Sequence, residues 1–384
     1  MSQASLVEFV RDIYKTNEFI PLHAPQFNGN EQKYVLETIQ STFVSSVGKF
    51  VEQFEQQIEA YTGAAKAVAT VNGTAALHTA LYMAGVKAGD LVITQALTFV
   101  ATCNAVHHMG AKPIFVDVSP VSLGLCPQAM DNYLTEHAEL TSAGCIHKQT
   151  KQTIRAVMPM HTFGHPVQLD ELIAVCKKWQ ITLVEDAAES LGSFYKGKHT
   201  GTFGDFSAIS FNGNKVITTG GGGMVLCKTT DLGNKTKHIT TTAKVAHPYE
   251  FYHDEPGFNY RMPNLNAALG CAQMEVLEQY LVQKRLLASR YQSYFANTDF
   301  KFVSEPSYAK SNYWLNAIIC PSAEARDSLL KQTNDAGVMT RPIWNLMHRL
   351  PMFKNAFRDE LKESERIEAL LINLPSSAIE LGKI

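Results

Sequence analysis

The chain has 384 residues, of which 45% are hydrophobic and 18% charged, with a formal net charge of −2. That is enough apolar material for one large core and a second, smaller one. A near-neutral balance without a basic run speaks against a nucleic-acid surface.

The start, MSQASLVEFVRDIYKTNEF, has neither a basic leader nor an apolar run, so no signal peptide is expected, and no stretch reaches membrane-spanning length. Seven scattered cysteines without a CxxC pair read as buried thiols in a reducing compartment, which makes the protein cytoplasmic. Apolar spacing predicts a short helix over residues 4–14. Residues 20–31 are turn-rich, and 30–41 read as a helix with Glu31 in its first turn. A loop and an amphipathic helix follow over 41–63, with Val51, Phe54, Ile58 and Tyr61 on one core-facing stripe.

Residues 65–86 read as a strand, a tight turn and a helix. Asn72, Gly73 and Thr74 fall at the helix start, where unpaired N–H groups and the positive dipole end favour a phosphate. Thr is also an ordinary capping residue. Residues 90–106 repeat strand, loop and helix, and carry Phe99 and Asn104. A strand is expected over 111–118, a helix over 127–140 and a polar surface excursion over 141–153. Residues 153–180 add a strand, a Gly/Pro turn and a helix, with His161 at the strand end. No second ligand at suitable spacing completes a zinc site with it, so no metal is expected.

The chain is organised around the stretch from Leu183 to Cys227. The apolar run Ile181 to Val184 ends in Glu185 and Asp186; a second run spans Phe206 to Phe211; Lys215 follows in a loop; Gly220 to Gly223 lead into a third run, Met224 to Cys227. These read as three buried strands joined by polar loops. An acid at a strand end and a lysine on a Gly/Asn-rich loop suit an aldehyde cofactor with a basic ring nitrogen. The amine condenses with the aldehyde, and the carboxylate keeps the ring nitrogen protonated. Singly, a strand-end Asp or a loop Lys is more often structural; together, with the Ser210 hydroxyl placed for a phosphate, they point to chemistry. Strand and helix alternate five times before residue 215, which implies a mostly parallel sheet covered on both faces, with ligands at its carboxyl ends. Gly73, Phe99, His161, Asp186 and Ser210 all fall at or just past those ends. The four glycines fail the dinucleotide fingerprint, which needs Gly at the position of Val225, and this argues against an oxidoreductase.

Beyond Cys227 the chain reads as a polar helix and loop, then a long helix over 264–297, then a smaller α+β domain with a strand over 311–320. The domain boundary is placed between residues 1–262 and 263–384.

EDAAESLG (185–192), SFNGNK (210–215) and TTGGGGM (218–224) resemble the sugar aminotransferases of the DegT/DnrJ/EryC1/StrS family, as do MHTFGHP (160–166), GFNYRMPNLNAALG (257–270) and TRPIWNLMHRLPMF (340–353). The resemblance runs over roughly residues 18–382, ending in NLPSSAIEL. It implies an α/β protein of fold type I, like aspartate aminotransferase, using pyridoxal 5'-phosphate (PLP). By this resemblance Lys215 carries the cofactor, Asp186 meets its ring nitrogen, and Gly73, Thr74 and Ser210 hold its phosphate. Phe99 stacks on the ring, Asn104 lies close by, and Glu189 stands at the ring hydroxyl, where many relatives have Gln or His. Asn259 reaches the phosphate of the neighbouring subunit in a homodimer, with Tyr260 and Arg261 beside it. His161, Tyr313, Arg341, Trp344 and His348 border the nucleotide-sugar pocket, as does the loop at 45–49. Gly221 replaces the Glu of the commoner TTGEGG, and Lys215 argues against the dehydratase branch, which has His there.

The wording FVSSVGKFVEQFE (43–55), with HTFGHP, ITTGGGGM and TRPIWNLMH, is similar to the LegC-type subgroup. That implies transfer of an amino group from L-glutamate to C4 of a UDP- or GDP-linked 4-keto-6-deoxy-N-acetylhexosamine, for sugars of the legionaminic acid or bacillosamine type. The alternatives are another nucleotide-sugar aminotransferase, acting at a C3 ketone or perosamine-like, and a non-catalytic PLP-binding sensor.

Overall fold

The computed structural model describes residues 5–379; the end of NLPSSAIEL lies outside the described residues. Eight strands form the large sheet. They are β1 (Lys66–Thr70), β2 (Leu91–Gln95), β3 (Lys112–Val116), β4 (Ile154–Val157), β5 (Thr182–Asp186), β6 (Phe206–Ser210), β7 (Gly223–Cys227) and, after three strands of the small sheet, β11 (Phe357–Arg358). Their order is β1-β7-β6-β5-β4-β2-β3-β11. β7 runs antiparallel to both neighbours, and the others pair in parallel. β2 and β7 are buried at every position, as apolar runs covered on both faces must be.

Helices α4 (Gly73–Met83), α5 (Val100–His108), α6 (Pro127–His137) and α7 (Leu169–Trp179) follow β1 to β4. The expected fifth strand–helix repeat does not occur. β5 and β6 are joined by turns and a short hairpin, Phe194–Tyr195 with Lys198–His199. Gly192, Gly197 and Gly201 all have positive φ there, which breaks up a helix before it can form. Residues 141–153 are likewise more ordered than a surface excursion. Ala138–Thr141 pairs with Gly144–His147 through a turn at Gly144, where φ is 108°, and Cys145 and His147 point inward. This hairpin also ends α6 at His137, short of the predicted residue 140.

Before the sheet come α1 (Leu6–Tyr14), α2 (Glu31–Ser41) and α3 (Lys49–Thr62). Ser5 and Glu8 cap α1 reciprocally, each side chain accepting from the other's backbone N–H. α3 buries Phe50, Val51, Phe54 and Ile58, while Tyr61 sits at the edge of the stripe and donates its hydroxyl to Glu278. After β7 come α8 (Thr230–Thr240) and the long α9 (Asn264–Phe295), the spine against which α2 and α3 pack.

The small sheet contains β8 (Lys301–Phe302), β9 (Asn316–Ile319), β10 (Arg341–Pro342) and β12 (Leu371–Leu374), in the order β8-β9-β12-β10, with α10 (Ala323–Asp335) and α11 (Lys362–Leu370) alongside. The strand expected over 311–320 starts only at Asn316, because Tyr313 adopts φ 49° and interrupts it. Segments cross between the lobes in both directions. Leu6, Val10 and Ile13 of α1 join the small-lobe core with Leu287, Ile318, Val338 and Ile372. β11, late in the chain, adds to the large sheet beside β3. No helix among the described residues is long and apolar enough to cross a membrane.

Candidate active site

β5 ends in two acids whose side chains leave on opposite faces, as successive strand residues do. Glu185, fully buried, accepts from the backbone N–H of Gly201, Phe203 and Gly204, each at 2.8 Å, and faces His161 Nε2 at 3.1 Å. Burial opposes its ionisation, but the imidazole and the amides hold its carboxyl below the usual range. His161 is therefore not a substrate contact. It is fully buried, its Nδ1 accepts from Val167 N–H at 3.2 Å, and its backbone N–H donates to the Asp186 carbonyl at 3.1 Å. Its place is behind the site, holding the strand end.

Asp186 faces a cavity of about 300 Å³ at the carboxyl edge of the sheet. Its Oδ2 accepts from Thr102 Oγ1 at 2.7 Å and its Oδ1 from Ala188 N–H at 3.2 Å. Burial raises its pKa against those bonds. A buried carboxylate with two neutral donors is stabilised further by a cation in the cavity.

Lys215 enters the same cavity from the loop after β6. Its Nζ lies 3.3 Å from Glu189 Oε1 and 3.9 Å above the centre of the Trp314 ring. Trp314 is itself fixed, its indole N–H donating to Asn214 O at 2.7 Å. Glu189 is buried and accepts from Phe163 N–H at 3.0 Å. Burial pushes its carboxyl up to about 7, although Lys215 pulls the other way.

The other end of the cavity is an anion cradle. Asn72 caps α4 by accepting from Ala75 N–H at 2.8 Å, and Gly73 and Thr74 form the wall beside it, with Ser210 on β6 opposite. A Cβ at Gly73 would stand 2.9 Å from that of Ser210, and one at Gly223 would stand 2.4 Å from Asn72 O. Glycine is required at both positions for α4 to approach the sheet this closely. Phe99 immediately precedes α5, is 47% exposed, and lies 6.2 Å from the Trp344 ring across the cavity. It is not a core residue.

The remaining expected contacts divide. Trp344 lines the cavity, and Arg341 lies on the rim of an adjoining one. Asn104 does not reach the wall; the α5 residues that do are Ala101 and Thr102, and only Thr102 brings a polar group. Tyr313 is packed away, its hydroxyl accepting from Glu305 N–H at 3.0 Å and its ring edge-on to His165. His348 turns toward Glu365, 3.9 Å away, and does not line the cavity. Tyr260 bonds His78 at 3.2 Å and stacks on Phe258, Arg261 is bridged to Thr70 of β1, and Asn259 is exposed. None of these three enters the cavity of its own chain. Thr102 and Trp314 are site residues that sequence reasoning missed. The Thr98–Thr102 spacing, whose hydroxyls meet at 2.7 Å, was the one available signal for the first.

An acid and a lysine sharing a cavity at a sheet edge, with a phosphate cradle at a helix start, define a fold-type-I PLP enzyme. The residues present fit that cofactor: a buried anion for the ring nitrogen, an amine for the aldehyde, and a glycine-lined helix start for the phosphate. Residues 25–379 match the DegT/DnrJ/EryC1/StrS aminotransferase family, and the chain belongs to it, with PLP as its cofactor. The GDP-perosamine synthase of Escherichia coli O157:H7 is 35% identical over 359 residues, covering 94% of this chain and 93% of its own. The spore coat polysaccharide biosynthesis protein SpsC of Bacillus subtilis (strain 168) is 32% identical over 292 residues, covering 74% and 71%. Among solved structures, Helicobacter pylori PseC, an aminotransferase involved in pseudoaminic acid biosynthesis, superposes with a TM-score of 0.84 over 93% of this chain and 94% of its own. At 22% identity that likeness shows the fold.

Glu189 makes stability depend on pH. Its folded pKa is raised, so its contribution is complete below the normal carboxylate range and is lost as pH rises through about 7. Cofactor-free wild type is expected to lose stability relative to Glu189→Gln between about pH 5 and about pH 7.5. Denaturant midpoints across that range measure it; parallel profiles for the two proteins would mean that Glu189 ionises normally.

Proposed function

We propose that the chain transfers an amino group from L-glutamate to C4 of a nucleotide-linked 4-keto-6-deoxy-N-acetylhexosamine, carried on UDP or GDP, for surface sugars of the legionaminic acid or bacillosamine type. The observation that carries this reading is the meeting of Lys215 and Asp186 in one cavity whose outer wall, Trp344, leads to Arg341. A second reading is favoured by the 35% identity to a GDP-perosamine synthase, namely a perosamine-like, GDP-linked sugar.

Bound PLP supplies an electron sink for the pair left when a proton departs from the carbon bearing nitrogen. In this reading Asp186 holds the proton on the ring nitrogen. Gly73, Thr74 and Ser210 would hold the cofactor's phosphate, and Phe99 would lie against its ring. Lys215 would hold the cofactor and, when free, would take up and give back a proton at its Nζ as base and then acid. Glu189 lies 3.3 Å from that amine and orients it. Trp314 and Trp344 wall the site against water.

A homodimer belongs to the same reading, with Asn259, Tyr260 and Arg261 completing the partner's site. Exposed aromatics on the preceding loop, Tyr249 at 79% and Phe251 at 83%, support a partner surface there. The free cysteines support a reducing, cytoplasmic setting.

The test is an absorbance spectrum of the PLP-loaded protein before and after L-glutamate, followed by UDP- and GDP-linked 4-keto sugars with and without the N-acetyl group. Glutamate is expected to remove the visible band, and the true substrate to restore it. A band that ignores glutamate would favour the sensor reading.

A further inference from the structure

The amine of Lys215 sits between two groups, and one side chain holds both. Glu189 Oε1 lies 3.3 Å from Nζ, the Trp314 ring centre lies 3.9 Å beneath it, and the lysine side chain is left only 13% exposed. Asn312, fully buried, ties the two together. Its Nδ2 donates to the carbonyls of Glu189 at 2.8 Å and Leu191 at 2.9 Å, which uses both amide hydrogens. Its Oδ1 accepts from Trp314 N–H at 2.8 Å.

That last bond closes a turn of the asparagine side chain onto the backbone two positions on. Tyr313, at the bend, takes φ 49°, a left-handed conformation that is strained for a residue with a Cβ. Such strain persists where the surroundings hold it, and it marks places where function requires the geometry. Trp314 is held on two further sides. Its carbonyl accepts from Lys284 Nζ at 3.1 Å, a bond an amine donates with or without its extra proton. Its indole N–H donates at 2.7 Å to the carbonyl of Asn214, the residue before Lys215. The large lobe leaves room for the asparagine through Gly164, where φ is 93° and a Cβ would stand 1.8 Å from Asn312 Oδ1.

We propose that Asn312 is a positioning residue for the amine of Lys215: it fixes Glu189 and Trp314 relative to each other, and with them the gap the amine occupies. It does not line the cofactor cavity itself. The inference rests on the proposed function for the reaction served, and not for the placement of the amine.

Asn312→Asp and Asn312→Ser each leave an oxygen for Trp314 N–H and remove both donations to the large lobe. The serine variant adds no charge, which keeps the test decisive if the aspartate variant does not fold. In the full chain stripped of PLP, acetylation of Lys215 by acetic anhydride is followed by peptide mass spectrometry against Lys196, whose side chain is 57% exposed. In the variants Lys215 is expected to label faster relative to Lys196 by about threefold or more, the low end of coupling within one hydrogen-bond network. In the PLP-loaded protein the glutamate half-reaction, read from the visible band, is expected to slow about tenfold at saturation, with the half-saturating glutamate concentration changed less than about twofold. A general loosening of the fold would speed both lysines and leave their ratio unmoved. A wild-type labelling ratio, or a half-reaction at the wild-type rate, overturns the proposal. If the wild-type protein itself ignores glutamate, the proposed function fails and the labelling ratio alone decides this inference.

Discussion

Lys215→Ala is expected to lower kcat/KM for amino transfer by about 10⁴-fold or more, because one side chain supplies both the nucleophile and the acid–base group. The substitution also removes the cation 3.3 Å from Glu189 and leaves that buried carboxyl without its ion-pair partner. Two effects are thus combined in one variant, and Lys215→Arg separates them. The guanidinium keeps a positive charge beside Glu189 but stays protonated at neutral pH, so it cannot attack an aldehyde. Both variants are expected to lose activity to a similar degree, and both to release the cofactor on gel filtration in buffer without PLP. Only the alanine variant is expected to disturb the Glu189 titration. Activity within about tenfold of wild type in Lys215→Ala would show that another group carries the chemistry.

Asp186→Asn is expected to cost about 10²- to 10³-fold in kcat, the scale of removing one preorganised electrostatic partner. Asparagine has nearly the size of aspartate and retains an oxygen to accept from Thr102 Oγ1, now 2.7 Å away. The change therefore removes charge while leaving shape in place, at the cost of the acceptor for Ala188 N–H. Without that charge the ring nitrogen is not held protonated, and the electron sink weakens. The readouts are the rate of the glutamate half-reaction and the PLP dissociation constant, measured separately. A weaker PLP complex with an unchanged rate at saturation would recast Asp186 as an anchor for binding alone.

Much of this site was legible because its parts sit where local patterns end. Apolar runs that stop at Asp186 and Ser210 are strands buried on both faces, and their carboxyl ends lie on one edge whatever else the chain does. Gly73 was legible for a similar reason. A glycine at a helix start after a strand marks close approach, and the 2.9 Å clearance to Ser210 is that approach measured. Contacts made between distant elements were not legible in this way. The hydroxyl on Asp186 comes from Thr102, 84 positions earlier in the chain, and the ring under Lys215 belongs to Trp314 in the other lobe.

The sequence by itself determined seven of the eight strands of the large sheet, the family, and the acid and the lysine that share the cavity, since each depends on hydrophobic period or on residues within a single strand–loop unit. Tertiary structure alone decided that His161 serves Glu185 rather than a substrate, and that Tyr313 and His348 face away from the cavity. It also decided that α1 completes the small lobe while β11 returns to the large one, and that Lys284 meets His23 behind a second cavity. A side chain's direction is set by what packs around it, and those neighbours come from segments hundreds of residues apart as well as from the next turn.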